Sequence, residues 1–226
     1  MAMKTWQGLA AASLLLAGGG AQAALVPYTV NGVDLVYDDD YTPFGASSPG
    51  LTWTANANLA ATVTFGVSGI NASGTMTWDV AQAWIDAMNA ANYAGANDWR
   101  LWSALNSDGT GPCGGFNCTD SELGHLFYEE GGLAPYLSFN SSSKLTDVFT
   151  NMQDFAYWSD TEDSSYAWFF LNNGEQGGGL KVTTQYGWAV RPGQIAAAPV
   201  PVPGTALLTA LGFAAMALLR RARRRL

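Results

Sequence analysis

The chain reads as an α+β domain in which two helices pack on short antiparallel strands. Two patterns predict this. Residues 157–193 hold three aromatic-rich apolar runs separated by polar and glycine-rich breaks, the signature of short strands and their turns. Residues 77–93 and 119–130 instead space their apolar side chains at the period of a helix.

Residues 28–37, YTVNGVDLVY, read as one or two strands with an Asn31-Gly32 turn. Asp38, Asp39 and Asp40 follow. Adjacent carboxylates suit calcium, a hard cation that takes several oxygens. Calcium loops interleave their ligands around a sharp-turn glycine, however, so this triplet reads as a solvated turn. Leu51-Thr52-Trp53-Thr54 resumes as a short strand after a Pro/Gly/Ser loop. In residues 77–93, Val80, Trp84, Ile85, Met88 and Ala91 form one apolar stripe, with Thr77 as N-cap and Gly95 as left-handed stop. Trp99 to Trp102 is a short strand. Thr119-Asp120-Ser121-Glu122 then supplies an S/T-x-x-E capping box. The second helix runs to about Glu130, with Leu123, Leu126 and Phe127 inward and Gly131-Gly132 as its stop.

Asn172-Asn173-Gly174 accepts the positive φ angles of a hairpin turn. In the last run Tyr186, Trp188 and Val190 alternate onto one face, Ala189 and Arg191 onto the other, and Pro192 ends the strand.

Both ends of the chain are segments to be removed or sorted. Residues 1–23 carry Lys4, a short apolar run and small residues around Gln22, the features of a secretory signal peptide cleaved after Ala23. Residues 24–195 form the body. Residues 196–226 hold Val200, Pro201, Val202 and Pro203, then an apolar run over 206–219, then five arginines. The run would span about 21 Å as a helix, short of a bilayer core of about 30 Å. The arginines keep the extreme end cytoplasmic and leave the body outside. A permanent single-span anchor is the alternative to removal.

The 18 acidic residues all lie in the body, against only Arg100, Lys144, Lys181 and Arg191, a formal charge of −14. Such a surface repels phosphate backbones and excludes nucleic-acid binding.

Signals for chemistry are sparse. Cys113 and Cys118, the only cysteines of an exported chain, read most simply as a disulfide, with a redox pair as the alternative. His125 is the only histidine. Helical geometry turns it about 200° from Leu123, which makes it a rim residue rather than a catalytic one. Trp158, Asp160, Glu162 and Asp163 are the candidate ligand-binding residues, and paired carboxylates there invite a glycosidase reading. No spacing fixes a catalytic separation, so no catalytic residue and no metal site is assigned.

Two resemblances go further. The Pro motif, apolar run and arginine cluster resemble the PEP-CTERM sorting signal of Gram-negative bacteria, with Val202 where a Glu is usual. That implies processing by an exosortase after transient membrane insertion, in bacteria that often make exopolysaccharide. In the body, Asp98-Trp99-Arg100-Leu101, residues 119–128, Phe149-Thr150-Asn151-Met152-Gln153, residues 157–162, Ala167-Trp168-Phe169-Phe170 and residues 188–193 occur in order. Together they resemble the Lcl C-terminal domain family, a domain of unknown function; Trp102-Ser103 stands where that family has Pro-Thr. The family is similar to C-type lectin-like folds and, within them, to formylglycine-generating enzymes. The resemblance implies that the first and last strands pair, with residues 33–37 beside residues 188–191. It brings no lectin calcium tripeptide, so calcium is conceivable without a motif.

The expectation is an exported, non-catalytic binding or structural module. It passes through an inner-membrane intermediate to the cell surface or extracellular matrix, in association with exopolysaccharide. The alternatives are an enzyme distantly related to the formylglycine-generating group, using the cysteine pair, and a surface protein with no small ligand.

Overall fold

The computed structural model describes residues 25–196. The signal peptide ending at Ala23, the Val200–Pro203 motif and the apolar run over 206–219 lie outside the described residues. Among the described residues no helix is long and apolar enough to cross a membrane.

Leu25–Val30 (β1) and Val33–Asp38 (β2) make a hairpin closed by Asn31 and Gly32. Both turn residues have positive φ, 52° and 79°, the twist that a two-residue turn needs to match its strands. Leu51–Thr54 (β3) follows, then Trp78–Ala90 (α1) and Arg100–Leu101 (β4). Glu122–His125 (α2) runs directly into a π-helix at Leu126–Glu130. A single turn at Ser143–Thr146 (α3) precedes Ala156–Asp163 (β5), Tyr166–Leu171 (β6) and Gln176–Leu180 (β7). Tyr186–Gly187 (β8) and Ala189–Pro192 (β9) close the body.

The described residues form two sheets, ordered β1-β2-β3-β9-β4 and β7-β6-β5-β8. The α+β class is as expected, but the pairing of the terminal strands is not. β3 lies between β2 and β9, so residues 33–37 do not touch residues 188–191 along a ladder. The register gives a second reason. Val36 faces Trp53 and Trp53 faces Val190, so these three share one face. Leu35 lies on the other, where it packs with α1. Leu51–Thr54 is wholly buried, although its apolar–threonine alternation reads as a strand with one face toward solvent rather than as a central one. The two ends of the body do meet: the Ile195 amide donates to the Tyr28 hydroxyl at 3.3 Å.

The first sheet separates two apolar clusters. On one face Trp84, Ile85 and Met88 of α1 pack with Leu35, Leu101, Trp158 and Ala189. On the other, Val36, Trp53, Trp102, Phe127, Phe139, Tyr157, Phe170 and Trp188 pack together. The α1 stripe is therefore core, although Ala91 at its end is exposed. Its stop is not Gly95: Asn92, with φ 51°, takes the left-handed position first. Asn tolerates that region because its short side chain costs little there.

The last run also departs from simple alternation. β8 pairs parallel with β5 in the second sheet, while β9 pairs with β3 and β4 in the first. Trp188 is the residue between them, where the chain changes sheets. In β7, Gly177 and Gly179 leave room for the Phe169 ring, which a Cβ would meet at 3.3 and 3.2 Å. Glycine in that strand thus marks close packing rather than a loop.

Cys113 and Cys118 are joined in a disulfide. It closes a short loop, so it removes little entropy from the unfolded chain. Replacing both cysteines with serine is expected to cost about 1–3 kcal/mol. Urea unfolding of the variant tests this, and non-reducing peptide mapping that found two free thiols would refute the pairing.

Candidate functional site

The four ligand-binding candidates do not form one site. Trp158 is fully buried, and its indole donates to the Met76 carbonyl at 3.0 Å. It is core, with no face to offer a ligand. Beyond it β5 carries a bulge before Glu162. Glu162 pairs with Lys181, whose ammonium also sits 4.4 Å from the Trp78 ring centre. Asp163 is exposed at the strand end.

Asp160 alone joins a polar constellation, one that local sequence signals did not reveal. Glu122 is 1% exposed. Its Oε2 accepts from Arg100 Nη1 at 2.8 Å and from the Ser103 amide at 2.7 Å, while Oε1 accepts from Arg100 Nη2. Asp160 Oδ2 lies 3.9 Å from the same guanidinium. Burial pushes the Asp160 carboxyl up to about 7, against the opposing pull of Arg100. These residues line a cavity of about 130 Å³ together with Tyr41, Phe44 and Asn106. The capping box pointed to Glu122 for a different reason. Ser121, not Thr119, caps α2, its hydroxyl accepting from the Gly124 amide at 3.2 Å. Glu122 is thereby the first helical residue, and its carboxylate is free to reach Arg100.

A second constellation lies at the end of β2. Asp38 closes that strand with its backbone paired on both sides, to Leu25 and to Leu51. Its side chain is 1% exposed, so it does not belong to a solvated turn. Asp38 Oδ1 accepts from the Tyr41 amide at 3.3 Å; Oδ2 is buried and accepts from no donor group among the described residues. His125 Nε2 lies 3.1 Å from Asp40 Oδ1, 3.7 Å from Asp38 Oδ2 and 3.7 Å from Glu130 Oε1. The Tyr41 ring packs 4.9 Å from the imidazole.

The π-helix makes this meeting possible. Residues five apart on an α-helix point about 140° away from each other. Where bonds run from residue i to i+5, as from the Gly131 amide to the Leu126 carbonyl at 2.9 Å, those residues stack on one face. His125 and Glu130 are such a pair. The expected rim histidine is instead mostly buried, with 13% of its side chain exposed. Burial raises the Asp38 carboxyl well above the usual carboxylate range, and Asp40 and Glu130 add to the rise. Glu130 is pushed up to about 7, by burial first and then by Asp40, with Lys144 opposing.

A third feature is an open groove of about 480 Å³ along the turn end of the β1–β2 hairpin. Tyr28 and Tyr93 are among its lining residues, with Asn56, Asp147 and Thr150. Set against known proteins, no family model and no curated protein matches the chain.

Proposed function

We propose that this chain is an exported, non-catalytic binding module of the Lcl C-terminal, lectin-like kind, held at the cell surface or in the extracellular matrix. Its ligand is an uncharged stretch of exopolysaccharide. The observation that carries this reading is the groove beside the β1–β2 turn. Its mixture of tyrosine rings with amide, hydroxyl and carboxylate groups suits a sugar, which presents apolar ring faces and many hydroxyls. The acidic body disfavours anionic polymers. Export rests on residues 1–23, and delivery by an exosortase through an inner-membrane intermediate rests on the tail from Val200 onward. The pairing of Cys113 with Cys118 supports the binding reading over a formylglycine-type enzyme, which would need a stably reduced cysteine.

A glycan array probed with the purified protein, with and without calcium, tests the reading. Hits are expected among uncharged glycans, and Tyr28→Ala should weaken them at least about tenfold. An array without hits favours a surface protein with no small ligand. Hits that Tyr28→Ala leaves intact would place the site elsewhere.

A further inference from the structure

We infer that Asp38, Asp40, His125 and Glu130 form a binding site for one divalent transition-metal cation of the zinc class. The site stands at the opposite end of β2 from the groove and does not depend on the sugar reading.

Four potential ligand atoms, one from each residue, all lie within 4.8 Å of one another. The three carboxylate oxygens sit 3.1, 3.7 and 3.7 Å from the imidazole nitrogen. A four-coordinate ion with bonds of about 2.0–2.2 Å spaces its ligands about 3.4 Å apart. The side chains already approach a coordination shell, and rotation of a carboxylate closes the widest gap.

Acidic residues that happen to be close would turn outward to water. Here Asp38 does not: its Oδ2 is buried and accepts no hydrogen bond from a donor group among the described residues, 3.7 Å from His125 Nε2. A buried carboxylate oxygen left unpaired is costly. A dication at the centre satisfies it and offsets the mutual repulsion of three carboxylates at once. The backbone holds the ligands in place beforehand. Asp38 is fixed in a ladder with strands on both sides, and His125 and Glu130 are brought onto one face by the π-turn.

The donor set selects the ion. Calcium and magnesium take oxygen ligands, so the imidazole argues against both. Imidazole with carboxylates suits zinc, and two ligands with under a tenth of their surface exposed, Asp38 and Glu130, favour a closed four-coordinate shell over one rich in water. A bound ion would pin the end of β2 to the π-helix, joining segments 85 or more residues apart in sequence.

The full chain, stripped with a chelator, is titrated with Zn²⁺, Mn²⁺ and Ca²⁺ by calorimetry and followed in thermal melts. One equivalent of zinc should bind, and the melting midpoint should rise with zinc concentration. Manganese should bind at least about tenfold more weakly, and calcium should show no saturable binding over the same range. His125→Gln and Asp40→Asn should each weaken zinc at least about tenfold. Because His125 is the only histidine in the chain, its ring proton resonances should shift in step with that single equivalent. Asp40 is 38% exposed, so its variant keeps the test decisive if the His125 variant does not fold. Absence of stoichiometric zinc binding overturns the inference. So does zinc binding that Asp40→Asn leaves unchanged without a shift at His125, or calcium binding tighter than zinc.

Discussion

Trp188→Ala is expected to lose about 4–5 kcal/mol of folding stability, a large part of what a domain of this size has to lose. The indole is fully buried, and its Nε1 donates to the Thr54 carbonyl at 3.0 Å. Its ring centre lies 5.2 Å from Trp53, 5.0 Å from Phe149 and 5.3 Å from Tyr157. Truncation removes the apolar area, leaves a cavity and strands a buried carbonyl, three costs at one position. Trp188 also joins β8 to β9, so the damage reaches both sheets. Urea unfolding followed by circular dichroism measures it. Trp168, only half-buried, supplies the control and should lose less than half as much on the same change. A Trp188 variant within about 2 kcal/mol of wild type would show that the ring is not the centre of the core.

Glu122→Ala should cost nearly as much, about 3–5 kcal/mol. The removed carboxylate holds both Arg100 nitrogens and the Ser103 amide. Without it the guanidinium, 26% exposed, keeps only Asp160 at 3.9 Å as a carboxylate partner. Most of the loss is the penalty of a desolvated charge left behind, so it should not add to the loss from Arg100→Met. The double variant should therefore unfold at a urea concentration well above that expected from summing the single effects. Strict additivity would mean that the two side chains act separately, contrary to the bidentate geometry.

Local chemistry made much of the fold legible. Asn31-Gly32 and Asn172-Asn173-Gly174 mark turns because few other residues accept positive φ at low cost. The α1 stripe is visible because its helix packs one face on a sheet. What was not legible depended on long-range choices. Leu51–Thr54 inserts between β2 and β9, yet its Leu-Thr-Trp-Thr alternation marks only a strand and does not say which strands flank it. The change of sheets at Trp188 hides inside the short run over residues 186–190, which reads as one strand. The cation cluster was hidden for another reason. Its ligands come from two segments, and the helical period assumed for residues 119–130 sends His125 and Glu130 to different faces. Only the wider π-turn brings them together, and no single residue type signals that turn.

The position of β9 has a mechanical consequence. A load entering at Ala196 is passed to a strand bonded on both sides, to β3 and to β4. It also meets the clamp of Arg191 on Asp98, with Nε to Oδ1 at 2.6 Å and Nη2 to Oδ2 at 2.9 Å. Ladder bonds run perpendicular to their strands, so a pull along β9 shears two rows of them together. A pull at Leu25 acts on β1, an edge strand bonded only to β2, and can peel its pairs away one after another. The body thus resists force better through its carboxyl end than through Leu25.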